Sequence, residues 1–214
     1  HECERHMRNG VTIIDPETVY IDVGVKIGAD TVIYPNVIIQ GDTVIGERVT
    51  ILSNSFLRNA VIADEVCIDS SKIVESSVGA RTTIGPMSHL RNHTEIAEDC
   101  RIGNFVEFKN SHCGKGSKCA HLTYVGDADV GSGVNFGCGV VTVNYDGKNK
   151  YRTIIKDGAF IGSNCNLIAP VTIGENALLA AGSTITDPVA DGDMGIARSR
   201  QENKAGYGTK YKNK

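Results

Sequence analysis

The sequence predicts an all-β protein, a parallel β-helix of hexapeptide repeats built as a single-stranded solenoid prism. Three observations predict it. An apolar residue returns every six positions, a period that fits neither a helix nor an alternating strand. One run is Ile21, Ile27, Ile33, Ile39, Ile45, Ile51, Leu57, a second is Val78, Ile84, Leu90, Ile96, Ile102, Phe108, and a third spans Ile155 to Ile185. Small residues often follow the apolar one, as in Ile27-Gly28, Ile84-Gly85 and Ile161-Gly162. Aromatic content is only 6% with no Trp, as expected of a narrow interior filled by aliphatic side chains.

Taken in order, residues 1–20 form a lead-in segment, 21–187 the β-helix and 188–214 a basic tail. Three flat strands make one triangular coil, so a turn takes about 18 residues and coils lie about 4.8 Å apart. Ile21 to Ile185 then allows roughly nine coils, a prism on the order of 40 Å tall. The phase breaks between Leu57 and Val78, and slips by one residue after Phe108 and again after Val125. The largest interruption is an extruded polar loop near 144–152, whose Asp146-Gly147 reads as a tight turn. Loops thrown out from a rigid scaffold are where functional residues concentrate.

A length of 214 residues allows one elongated domain or two small ones, and a repeat running from Ile21 to Ile185 argues for one. Net charge is −3, which offers no reason to expect nucleic acid or an anionic membrane as partner. The tail differs, with Arg198, Arg200, Lys204, Lys210, Lys212 and Lys214 against Glu202. It reads as a solvated end, or as a segment whose first residues grip a polyanion. Seven cysteines form no CxxC pair and several sit where the repeat wants a small buried residue, as free thiols do in a reduced cytosol. With no signal peptide and no apolar run near ~18 residues, a cytoplasmic location is expected. The chain opens on His1 and not Met, as a fragment of a longer protein would.

The repeat also serves as a ruler. Arg91 and Lys109 stand 18 apart and in phase, so they stack on adjacent coils. Stacked cations repel unless an anion lies against them, which points to a phosphate or carboxylate site. Glu107 offers the competing reading of a surface ion pair. His121 and Cys138 each follow an inward residue by two, and Ser163 and Ala181 repeat that phase, forming a slot along the prism or only a packing convenience. His121 stands one coil after the cations and before the loop, suited to taking a proton from an amine or hydroxyl. A structural histidine is the plainer reading, and zinc held among His89, His93, His112 and His121 is the rival, although nothing in their spacing sets three on one point.

The strings GPMSHLR (85–91), GNFVEFK (103–109), KGSKCAHLTYVGDADVG (115–131), NFGCG (135–139), VNYDGKNKY (143–151), IGSNCNLIAPVTIG (161–174) and IARSR (196–200) resemble one family. It is the C-terminal acetyltransferase domain of the bifunctional bacterial N-acetylglucosamine-1-phosphate uridyltransferase / glucosamine-1-phosphate N-acetyltransferase, in Gram-positive-like wording. The resemblance covers nearly the whole chain in order. It implies a left-handed β-helix, an exception to the usual right-handed crossover, and a homotrimer with sites at subunit boundaries. It implies acetyl transfer from acetyl-CoA to the 2-amino group of glucosamine-1-phosphate, feeding UDP-N-acetylglucosamine and cell-wall precursor synthesis, with no metal needed. Carried over by residue, His121 is the general base. Arg91 and Lys109 hold the sugar phosphate, Lys150 adds a basic contact, and Tyr124, Asn135 and Asn144 touch the sugar. Tyr145 sits by the reacting groups, with Glu107 close to the site. Ser163 and Ala181 line the acetyl-CoA groove, Cys138 adds a backbone contact near the acetyl carbonyl, and Arg198 meets a CoA phosphate. No Gly-rich nucleotide loop occurs, so uridyl transfer is not expected of this chain. Another hexapeptide acyl-CoA transferase, a zinc hydratase and a non-catalytic trimeric scaffold stand as the alternatives.

Overall fold

In the computed structural model, which describes residues 2–211, the chain winds into a left-handed parallel β-helix. Lys212 and Lys214 of the basic tail lie outside the described residues. Strands two to four residues long alternate among three parallel sheets of 11, 10 and 9 strands. Every pairing in the three ladders is parallel, with inward residues in register, as in Ile33↔Ile51 and Leu90↔Phe108. The inward stacks are almost fully buried, so one continuous aliphatic column runs up the prism. The sheets take in Thr12–Ile13 and Met194–Gly195, on either side of the expected span 21–187.

Two features depart from the sequence reading. Glu2–Arg8 forms a short helix across the first coils, where Arg5 donates to the Val25 carbonyl at 3.3 Å and His6 is buried. It covers a solenoid end that would otherwise expose its core. Between Leu57 and Val78 the coil does not break. Ile62, Ile68 and Ile73 continue the buried ladder, but the steps 57–62, 68–73 and 73–78 are five residues. Five of the irregular steps fall at one corner, between the second and third sheets: 57–62, 73–78, 108–113, 125–130 and the long excursion from Thr142 to Ile155. That corner tolerates both deletion and insertion, and it is where the polar loop leaves the prism.

Close stacking of coils dictates some glycines. A Cβ on Gly103 would fall on the carbonyl oxygen of Ala120 in the next coil, whereas one on Gly208 would meet nothing within 4 Å. Gly103→Ala is therefore expected to cost about 1–3 kcal/mol, the usual penalty of overpacking. Thermal melting should show a clear drop for Gly103→Ala and none for Gly208→Ala.

Candidate active site

The second sheet presents an outer face whose central column is His89, Glu107 and Tyr124, in register and half-buried. Each precedes an inward residue and so points outward, by the two-residue alternation of a strand. Arg91 and Lys109 end their strands on this face and form its border with the third sheet. His121 ends the strand Lys118–His121 of the first sheet and is exposed at the opposite border. One face thus lies between a histidine on one side and two cations on the other.

Tyr124 spans part of that distance. Its phenol lies over Gly126, the residue in register with Lys109, and a Cβ on Gly126 would collide with it. Only glycine leaves room for the ring to reach the cationic border.

At that border both cations have protein partners. Arg91 Nε donates to Glu107 at 2.6 Å, with both side chains about one-third exposed. Lys109 Nζ donates to Asp127 at 3.1 Å, with exposures of only 13% and 7%. Asn110 donates to the other Asp127 oxygen at 2.5 Å, and the buried Asn144 amide donates to the first. Burial alone would raise the Asp127 pKa, but donors from Asn110, Lys109 and Asn144 outweigh it and hold the carboxyl below its ordinary value. Asp127 was not singled out from the sequence. It stands 17 residues from both Asn110 and Asn144, one short of the 18-residue ruler, because each of these coils has a five-residue step at this corner.

The depressed pKa carries a stability consequence. A carboxyl whose folded pKa lies below its unfolded value stabilises above the unfolded pKa of about 3.9, and that stabilisation is lost as pH falls through the folded pKa. Denaturant midpoints followed from neutral pH to pH ~3 should fall more steeply for the wild type than for Asp127→Asn.

The polar loop is an ordered hairpin. Tyr145 and Lys150 form an antiparallel bridge, Tyr151 N donates to Asn144 O at 2.9 Å, and Gly147 takes φ +98° at the tip. Asp146 accepts from the amides of Lys148 and Asn149 at 2.7 and 2.6 Å, which keeps its pKa low. Arg152 ties the loop's end to Asp129 at 2.9 Å. The hairpin sets the Lys150 ammonium against Lys109, whose proximity lowers the Lys150 pKa. Tyr145 itself is 55% exposed.

The remaining candidates lie along the corner between the first and second sheets. Cys138, Ser163 and Ala181 occupy it in successive coils: Asn164 N donates to Cys138 O and Gly182 N to Ser163 O, each at 2.8 Å. Arg198 donates to Ala181 O at 2.8 Å, which brings the start of the tail onto this column. The column begins at His121, one coil before Cys138. Asn135 sits on the outer face of the first sheet, across the corner from Tyr124. Histidines 89, 93, 112 and 121 lie at the second sheet, the next corner, the third sheet and the opposite corner respectively. Among the described residues no three His, Cys, Asp or Glu side chains are grouped to hold a metal ion.

Against known proteins, residues 152–187 match the family described as bacterial transferase hexapeptide (six repeats), and residues 16–94 match the GMPPB C-terminal domain. Sequence relatives are more specific. The chain is 57% identical over 205 residues to the bifunctional protein GlmU of Geobacillus sp. (strain WCH70), covering 96% of this chain and 45% of that protein. This chain is a relative of GlmU. GlmU of Shouchella clausii is 58% identical over 204 residues, and that of Clostridium beijerinckii 54% over 202, covering 45% and 44% of those proteins. The chain therefore spans under half the length of the GlmU relatives it matches. Among solved structures, LpxA of Bacteroides fragilis, a UDP-N-acetylglucosamine acyltransferase, superposes with a TM-score of 0.61 at 20% identity. The overlap covers 83% of this chain and 69% of LpxA, a likeness of fold.

Proposed function

We propose that this chain is a glucosamine-1-phosphate N-acetyltransferase that moves the acetyl group of acetyl-CoA to the 2-amino group and releases N-acetylglucosamine-1-phosphate. The observation that carries the reading is the single outer face with His121 on one border and Arg91, Lys109 and Lys150 on the other. The identity to GlmU across 96% of the chain supports it.

In this reading the sugar lies along the face, phosphate against the three cations and amine toward His121. The phosphate competes with Glu107 for Arg91, so binding exchanges one ion pair for another. Tyr124 and Asn135 contact the sugar, and Asn144 supports it from its place against Asp127. The acyl donor runs along Cys138, Ser163 and Ala181 and ends at Arg198, whose charge meets a CoA phosphate. His121 accepts the proton of the attacking amine as nitrogen adds to the thioester carbonyl. The tetrahedral adduct then expels the CoA thiolate, which takes up a proton. Bringing amine and thioester together supplies several kcal/mol by effective-molarity reasoning. Incubation with both substrates should yield a product whose carbon and nitrogen spectra show an acetamido group at C2; unchanged amine would reject the proposal.

The assembly in this reading is a cytoplasmic homotrimer with sites at subunit boundaries. Met87, Phe105 and Leu122 support a packed neighbour beside His121. They occupy one corner in consecutive coils, 57%, 61% and 59% exposed, with φ of 59°, 55° and 45°. Large apolar side chains are uncommon in that left-handed region and exposed here in a row. Phe105→Asp is expected to shift sedimentation from trimer toward monomer while circular dichroism keeps its β signature.

A further inference from the structure

We propose that Asp127 is a positioning residue, which fixes the Lys109 ammonium and clasps both ends of the 144–152 loop to the phosphate-binding border. What that border binds rests on the acetyl-transfer reading; the clasp itself does not.

The geometry concentrates on this one side chain. Its carboxylate takes donors from the coils on either side: Lys109 and Asn110 before it, and Asn144 after it. Asn144 is the first residue of the loop. The loop's other end returns to the same residue, because Thr153 N donates to the Asp127 carbonyl at 3.1 Å. The Asp127 amide in turn donates to Lys109 O at 2.9 Å. A φ of 48° turns the backbone at this corner, so side chain and carbonyl serve opposite ends of one insertion.

A carboxylate beside an anion site weakens its raw attraction, so Asp127 is not there to attract phosphate. Its effect is placement. Lys109 is 13% exposed, and an ammonium with no counter-charge at that depth swings out to water. The hairpin also brings Lys150 against Lys109, and two cations hold that approach only with an anion nearby. Asp127 supplies it from the buried side and leaves the outer side of both ammonium groups to the ligand.

The test uses Asp127→Asn, which keeps the shape and removes the charge, and Asp127→Glu, which keeps the charge. Losing a charged hydrogen bond to Lys109 should raise KM for glucosamine-1-phosphate about tenfold, with KM for acetyl-CoA unchanged. Trypsin reads the clasp without any assay of activity, since Lys148, Lys150 and Arg152 all lie in the loop. Loop cleavage should accelerate about tenfold in Asp127→Asn, as expected when a hydrogen-bonded segment opens more often. Asp127→Glu should recover part of both effects, and it decides the matter if Asp127→Asn melts early. Faster cleavage with an unchanged sugar KM would leave a clasp and overturn the positioning of Lys109. No change in either readout would overturn the whole inference. Should the wild type fail to acetylate the sugar, the acetyl-transfer reading fails, and the cleavage rates still decide whether Asp127 holds the loop.

Discussion

His121→Ala is expected to lower kcat by about 10²- to 10⁴-fold, the usual contribution of a positioned general base. KM for the sugar should change little, because the phosphate grip lies at the other border of the face. The loss should be in the chemical step, so a pre-steady-state experiment should show slow product formation with normal substrate binding. His121 is exposed, and it is its backbone oxygen, not its ring, that accepts from Thr123 at 2.8 Å. Removing the ring therefore leaves no buried partner unsatisfied, and the fold should melt where the wild type does. An unchanged turnover would remove His121 as the base.

Arg91→Ala is expected to act on the opposite parameter. A charged hydrogen bond contributes about 1.5–3 kcal/mol, so KM for glucosamine-1-phosphate should rise roughly 10- to 100-fold with kcat nearly constant. Discrimination against unphosphorylated glucosamine should shrink by a similar factor, since the lost contact is to the phosphate. Stability should move little, because Arg91 and Glu107 are both about one-third exposed and pair in high dielectric. Equal KM values for wild type and variant would break the argument that stacked cations mark an anion site.

Much of the fold was legible because an inward ladder with a fixed step is a long-range signal written locally. The runs through Ile33, Leu90 and Ile161 place strands, coils and neighbours without knowledge of any contact. What stayed hidden follows from the same physics. Ile62, Ile68 and Ile73 keep the core filled while three of the four steps from Leu57 to Val78 shorten to five, so a template of strict sixes loses the phase although the ladder is intact. The helix Glu2–Arg8 left only a weak trace, acids in its first turn and bases in its last, over too few residues to show a period. In the candidate site, the cations were legible because stacking like charges is costly and conspicuous. Asp127 was not, since a single acid between glycine and alanine reads as solvated turn, and its burial depends on a loop returning 17 residues later. The five-residue steps also shift Asn110, Asp127 and Asn144 off the 18-residue ruler, so their meeting emerges only from the folded coil.

The most direct measurement is thiol release from acetyl-CoA with glucosamine-1-phosphate, glucosamine-6-phosphate or no acceptor, in the presence of a chelator. Release is expected with the 1-phosphate alone, undiminished by the chelator. Equal release with either sugar phosphate, or none from a well-folded chain, would contradict it.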